Sequence, residues 1–405
     1  MSSDLPLADL KVLDFMWVMA GPSATRTLAD YGATIVRVES TNRVDTARTM
    51  APFFQQQPGP ENSALFQNMN AGKLGLTLDL SKDDGRAVIH DLVRWADVVT
   101  ESFSPKAMRA WGLDYESLRQ IKPDIVMLSA CLMGQSGPLS GFAGFGSLAA
   151  AISGFYDITG WPDRPPAGPF GAYTDTAAPR FIAAAILAAL DHHERTGEGQ
   201  YIDLSQSEAA LHFLGPALLD HAVNGRSQTR VGNNDPYCAP HGVYPAAGED
   251  TWVATAVTTD EQWQELCAAL ERQDLAADRR FGTAEGRVSH REELDGIVAA
   301  WTSSRDAHEI EALLQARGVP ASVAQTSTDL YADPQLAQRG HFVEVAHPIH
   351  GTVTVESSHF LLSRTPARVE RAAPTFGEHN QHVLSDILGY DAERITELVA
   401  AGVLE

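Results

Sequence analysis

Apolar residues in the first third of the chain fall in short runs separated by amphipathic stretches. Lys11–Phe15 (KVLDF) is a strand-length run, and Ala20-Gly21-Pro22-Ser23 follows as a turn ending in a residue suited to cap a helix. Residues 24–31 read as that helix, Gly32 stops it, and Thr34–Glu39 (TIVRVE) is the next strand. The alternation continues with a helix from Ser81-Lys82-Asp83-Asp84 through Trp95, whose early acids suit the helix dipole. A strand at 97–100, a helix at Tyr115–Ile121 and a strand at 125–130 come next. This order predicts an α/β protein whose large Rossmann-like domain is built on an open parallel sheet.

Beyond residue 130 the pattern changes. Residues 148–155 and 180–194 look like buried, Ala-rich helices, and the Gly/Pro-rich loop 160–171 lies between them. A turn at 196–200 leads to a short strand at 201–204 and then to one long helix over 205–224, stopped by Gly225. Composition shifts at Arg226 to a stretch rich in Gly, Asn and Pro. An alternating strand at 251–257, helices near 260–272 and 305–316, and a strand at 319–324 follow. We therefore expect a large domain over 1–225 that includes the 205–224 linker helix, a smaller α/β domain over 226–330, and a return segment over 331–405 completing the large domain. The return segment carries hairpin-like runs around Gly351 and helices at 380–388 and 391–401.

Charge narrows the partners. The 405 residues include 30 Lys and Arg against 52 Asp and Glu, a formal net charge of −22. That surface disfavours sequence-independent nucleic-acid binding and docking on anionic lipid. The most apolar run, 181–190, is ten residues long, far short of the ~20 needed to span a bilayer. Met1-Ser2-Ser3-Asp4 has no basic and apolar leader pattern, so the expectation is a cytoplasmic protein without a signal peptide. Cys131, Cys238 and Cys267 are too scattered for a disulfide framework or a zinc site, and no metal is expected.

Several common chemistries fail on spacing. Gly72-Lys73 is followed by Leu74, so there is no P-loop; GxSxG and HExxH are absent. Gly144-Phe145-Gly146-Ser147-Leu148-Ala149 matches GxGxxA, but it lies well past the preceding strand and reads as a packed helix start. The most distinctive polar segment is Tyr173-Thr174-Asp175-Thr176, between the Gly/Pro loop and the apolar helix from Arg180. There, backbone N–H groups and the helix dipole would hold a carboxylate ionised. Asp175 or Thr176 could be a simple N-cap, or Asp175 a nucleophile at a loop-to-helix junction.

Taken together, Lys11–Pro22 (KVLDFMWVMAGP), Gly32–Glu39, Asn70-Ala71-Gly72-Lys73 with LTLDL, ADVVTESF at 96–103, GLDYESL at 112–118, GQSGP at 134–138, TGEGQYIDL at 196–204, APHGVY at 239–244 and Gly377-Glu378-His379-Asn380 resemble the class III CoA-transferase superfamily. That superfamily includes formyl-CoA transferase, carnitine CoA-transferase and α-methylacyl-CoA racemase, and the likeness spans about residues 7–388. It implies that Asp175 is the nucleophile and that coenzyme A is part of the substrate, with CoA moving from an acyl-CoA donor to a carboxylic acid acceptor through aspartyl anhydride and aspartyl-CoA thioester intermediates. It further implies CoA contacts at Trp17, Val18, Met19, Ala20, Lys73, Ser102, Phe103, Ala107 and Arg109. Gly232, Asn233, Asn234 and Gly242 correspond to a glycine loop that would stabilise oxyanions. Family members form interlocked homodimers, so the partner expected is a second copy of the chain. Arg180 is either an anchor for the second carboxylate of a diacid such as succinate or a surface cap. A racemase would need a histidine near 144–147, where this chain has Phe145 and no histidine from 91 to 191, so transfer is the expected reaction. A non-catalytic acyl-CoA-binding subunit is the other alternative, and retention of Asp175 argues against it. CoA is itself an anion, so the −22 describes the outer surface and CoA binding needs a local site.

Overall fold

The computed structural model describes residues 5–404; Met1–Asp4, on which the no-leader reading rested, lie outside the described residues. By packing, the chain divides into two compact units, one of 1–156, 168–228 and 335–405, the other of 157–167 and 229–334.

The first unit is built on six parallel strands: β1 (Lys11–Phe15), β2 (Thr34–Glu39), β3 (Leu74–Thr77), β4 (Val98–Glu101), β5 (Val126–Cys131) and β6 (Tyr201–Ser205). Their order is β3-β2-β1-β4-β5-β6, with β1 flanked by β2 and β4, the doubly wound Rossmann arrangement. Period-two alternation sorts each strand's side chains onto two cores. Val12, Ile35, Val98 and Leu128 face one core with Leu28, Ile182 and Ile186 from helices Ala20–Asp30 and Tyr173–Thr196. Leu13, Val36, Leu76 and Val99 face the other, with Val88, Ile89 and Leu92 of helix Asp83–Trp95. Val383, Leu384, Ile395 and Leu398 complete this second core, so the last seventy residues close the first unit.

The 377–380 motif has a structural task there. His379 Nδ1 accepts from the Gly75 N–H at 3.1 Å, and Asn380 Oδ1 accepts from the Thr77 N–H at 2.9 Å, covering the outer edge of β3. A hairpin of β10 (Phe342–His347) and β11 (Gly351–Glu356) turns through residues 348–350, and Gly351, paired with His347, opens its second strand. The 205–224 stretch is not one helix. It breaks into Gln206–Leu211, a tight turn at His212–Leu214, and Gly215–Asn224, because Pro216 has no N–H to continue the ladder.

The second unit carries an antiparallel sheet of β7 (His241–Pro245), β8 (Trp252–Ala256) and β9 (Ala321–Val323). Its own core contains Trp263, Leu266, Phe281, Val298, Ile310 and Leu314. Residues 157–167 join this unit: the Gly232 N–H bonds the Gly160 carbonyl at 2.8 Å, and Arg230 pairs with Asp157 at 3.3 Å.

Candidate active site

Helix Tyr173–Thr196 begins seven residues before Arg180, so Asp175 sits in its first turn. It is not the N-cap. Ala172 holds that position without a side-chain bond, and the Thr176 hydroxyl donates to the Tyr173 carbonyl instead. Pro179 lies inside the helix and lacks the N–H that would have bonded the Asp175 carbonyl.

The Asp175 carboxylate is buried, 6% exposed, and its Oδ2 accepts from the Gly146 N–H at 3.3 Å. Gly146 opens helix Gly146–Ile152, so the carboxylate faces the start of a second helix. Thr174 joins the same two starts by donating its hydroxyl to the Gly146 carbonyl at 3.2 Å. Residue 146 must be small: a Cβ there would lie 2.7 Å from the Asp175 Cγ and 2.8 Å from its Oδ1. The GxGxxA segment, read from sequence as packing, therefore supplies an N–H donor to the carboxylate, the one among the described residues. Its signal was the glycine itself, placed where a close approach was needed.

Burial pushes the Asp175 carboxyl up to about 6, with the Gly146 N–H pulling the other way. The expectation that N–H groups and the dipole hold it ionised is corrected: desolvation outweighs them, so the group titrates just below neutrality. A carboxylate of this kind is ionised at pH 7 yet more basic, and hence more nucleophilic, than a solvated one. We expect kcat/KM to be flat near neutrality and to fall about tenfold per unit as pH drops below about 6. A pH–rate profile extending flat to pH 4.5 would contradict this.

A second cluster lies where β1 and β4 meet, the switch point of the strand order and the crevice in which sheets of this kind bind ligands. The Trp17 N–H donates to Ser102 Oγ at 2.8 Å, and the Trp17 and Phe103 rings meet edge-on at 5.3 Å. Trp17, Val18 and Met19 are half-buried and Ala20 is buried. Ala107 and Arg109 lie on helix Pro105–Trp111; Arg109 is exposed and lines a cavity of 330 Å³ with Glu101, Tyr115, Gln135, Tyr201 and Asp203. Glu101 is 1% exposed, and burial pushes its carboxyl up to about 7 against bonds from Ser129 and Phe103.

Lys73 requires a correction. Its ammonium is fully buried, 3.0 Å from Asp14 Oδ2 and 2.9 Å from Asn70 Oδ1, so it is an internal ion pair and not a phosphate contact. Burial lowers it to about 8 despite Asp14. A cation that no motif marks approaches the same cluster: the Arg43 guanidinium lies 5.7 Å over the Trp17 ring. Its only signal was a basic residue in the loop after the second strand.

In the second unit, Gly232, Asn233, Asn234 and Gly242 line one cavity of 610 Å³. His241 Nδ1 donates to the Asn233 carbonyl at 2.6 Å, which closes the loop on itself. Asp235, Cys238 and His241 bring potential ligand atoms within 4.8 Å of one another, the one such group among the described residues. Asp235 is already engaged by the Tyr237 and Cys238 N–H groups, and burial together with Asp235 pushes the Cys238 thiol up. Arg180 is exposed, its guanidinium donating to the Thr176 carbonyl one turn back. Among the described residues no helix is long and apolar enough to cross a membrane.

The family model for CoA-transferase family III matches residues 7–380. The chain belongs to this family. It is 32% identical over 98% of both chains to succinyl-CoA–D-citramalate CoA-transferase of Chloroflexus aurantiacus. Identity to the succinate–glutarate CoA-transferase of Agrobacterium fabrum is 34%, covering 94% of this chain and 96% of that one. A solved CAIB/BAIF family protein from Brucella suis superposes with a TM-score of 0.86 at 31% identity, over 95% of this chain and 99% of that one. This family III enzyme is thus a CoA-transferase that moves CoA between an acyl-CoA thioester and a carboxylic acid.

Proposed function

We propose that Asp175 carries the CoA through two half-reactions. The observation that carries this reading is a buried carboxylate raised to about 6, with a single backbone N–H aimed at it and a glycine leaving room beside it. The carboxylate attacks the donor thioester carbonyl and expels CoA thiolate, leaving a mixed anhydride. The thiolate attacks the aspartyl carbonyl, releasing the first acid and forming an aspartyl-CoA thioester. The acceptor carboxylate attacks that thioester, again expelling the thiolate and forming a second anhydride. The thiolate then opens this anhydride at the acceptor's acyl carbon, giving the product acyl-CoA and free Asp175. The oxyanions need fixed donors. The Gly146 N–H is one, and Gly232, Asn233, Asn234 and Gly242 belong to the same proposal.

CoA is placed along Trp17, Val18, Met19, Ala20, Ser102, Phe103 and Ala107, with Arg43 and Arg109 as its cations. The relatives' names favour succinyl-CoA as donor and a dicarboxylic acid as acceptor, with Arg180 the candidate anchor for the second carboxylate. The working unit is a homodimer of interlocked chains. Supporting this, helix Gly215–Asn224 has no buried residue and leaves Leu218, Leu219 and Val223 at 49, 64 and 75% exposed, a face that a second copy would cover. A cytoplasmic setting fits an enzyme of this chemistry.

Incubation with succinyl-CoA followed by hydroxylamine is expected to convert the aspartyl-CoA thioester to a hydroxamate at Asp175, located by peptide mass spectrometry. A label on any other side chain, or none under turnover, rejects the mechanism.

A further inference from the structure

The chain leaves β1 through Met16-Trp17-Val18-Met19, and the way it does so is unusual. Val18 has φ of 65°, in the left-handed region that β-branched residues avoid. Among the described residues no backbone carbonyl receives the N–H groups of residues 16, 17 and 18; three side chains do. Met16 N–H donates to Asp14 Oδ1 at 3.0 Å, Trp17 N–H to Ser102 Oγ at 2.8 Å, and Val18 N–H to both oxygens of Asp45 at 3.1 and 3.3 Å.

Asp45 is 1% exposed and lies in the loop after β2, far from Val18 in sequence. Its Oδ2 is held by the Arg37 guanidinium, which also donates to the Met16 carbonyl. Arg37 is fully buried, and its further neighbours are Glu39 at 3.5 Å and the Phe66 ring. One ion pair thus grips the strained turn twice, at the Met16 carbonyl and the Val18 N–H. A strained non-glycine residue persists only where its surroundings over-determine it, and such residues gather at ligand sites.

We infer that Asp45, clamped by Arg37, is a positioning residue for CoA: it holds Val18 in the left-handed conformation that presents Trp17, Val18 and Met19 to the crevice. It touches no reacting atom and acts through the turn. The inference rests on the reading of the β1–β4 crevice as the CoA site.

The test compares steady-state kinetics and acyl-CoA titration calorimetry for five variants of the full chain, each with its melting temperature. Asp45→Asn removes the charge that pairs with Arg37. It is expected to raise KM and Kd for succinyl-CoA on the order of tenfold, with kcat within about threefold of the parent. Adding Val18→Gly, which needs no clamp to reach positive φ, is expected to tighten binding several-fold relative to Asp45→Asn alone. A merely structural Asp45 would lower the melting temperature without this KM-against-kcat split and without rescue by glycine; that result overturns the inference. Should Asp45→Asn fail to fold, Val18→Pro decides, since proline fixes φ near −65° and has no N–H. It must then bind succinyl-CoA at least about tenfold more weakly than Val18→Gly, and equal affinities overturn the inference. Trp17→Ala separates the two readings. If it leaves affinity unchanged, the crevice is not the CoA site; if it weakens binding while Asp45→Asn does not, only the positioning role falls.

Discussion

Asp175→Ala is expected to lower CoA transfer by about 10⁴-fold or more, because it removes the carboxylate on which the proposed covalent step depends. Calorimetry should still show acyl-CoA binding, and the fold should be intact. The second expectation follows from the site's energetics. Among the described residues the Asp175 carboxylate has one modest hydrogen bond and no cation beside it, so its charge is a burden on the native state. Its folded value of about 6 lies above the unfolded 3.8. Between those values the native state binds more protons, so stability falls as pH rises through this window, and the deficit is complete at pH 7. The difference of roughly two units corresponds to about 3 kcal/mol. Asp175→Asn keeps an acceptor for the Gly146 N–H and removes the charge. It should therefore be inactive yet more stable by roughly 1–3 kcal/mol, a melting temperature a few degrees higher at pH 7. An Asn variant that transfers CoA at the parental rate, or one that melts lower at pH 7 but not at pH 4, would contradict this account.

Asp175 is ambiguous in the sequence for a physical reason. A first-turn aspartate followed by an apolar run has the composition of an ordinary cap, and burial alone separates the two. The N–H that meets the buried carboxylate belongs to Gly146, 29 positions away in a segment that looked like a failed dinucleotide fingerprint. The parallel sheet was easier to read, since KVLDF and TIVRVE are short, largely apolar runs of strand length separated by a helical stretch. β3 was hidden because Leu74-Gly75-Leu76-Thr77 is short and carries a glycine. That glycine is required by packing, as a Cβ would lie 2.7 Å from Pro374, a residue of the return segment that only the folded chain brings near. The start of the Asp175 helix is hard to read because Pro179, a residue disfavoured inside helices, lies within it.

Lys73 and Arg43 show the same limit for charge. The motif placed Lys73 among the basic residues near CoA, but its neighbours Asp14 and Asn70 are brought together by β1 and the turn before β3. Removing one partner of such a buried pair leaves an uncompensated charge, which is why Lys73 reads as architecture and not as a phosphate contact. Arg43 carries no motif, and only the approach of the loop after β2 to Trp17 reveals it. In the family patterns, several pieces prove to be structural. The 377–380 motif covers the edge of β3, and the Gly199-Gln200 turn sets β6 beside β5 through the Gln200 carbonyl and the Met127 N–H at 3.0 Å.

Gly146→Ala is expected to be the most informative substitution away from the proposed nucleophile. Gly146 does not have positive φ, and alanine is intrinsically favoured over glycine in a helix by roughly 0.5–1 kcal/mol, so the backbone itself accepts the change. The obstacle is space. The new methyl would lie 2.7 Å from Asp175 Cγ and 2.9 Å from its backbone nitrogen, which cannot swing aside as a side chain can. The carboxylate must be displaced by several tenths of an ångström, and at a covalent centre such a shift costs about 10²-fold in kcat. Loss or lengthening of the Gly146 N–H bond removes what holds Asp175 down, so the acid limb of the pH profile should move to higher pH. Gly141 has open space on its Cβ side and no positive φ, so Gly141→Ala is the matched control and should leave both readings unchanged. A Gly146→Ala enzyme with parental kcat and an unmoved acid limb would mean that Gly146 does not govern the nucleophile. A fall in kcat with the shifted limb would place the glycine, and not only the aspartate, in the catalytic machinery.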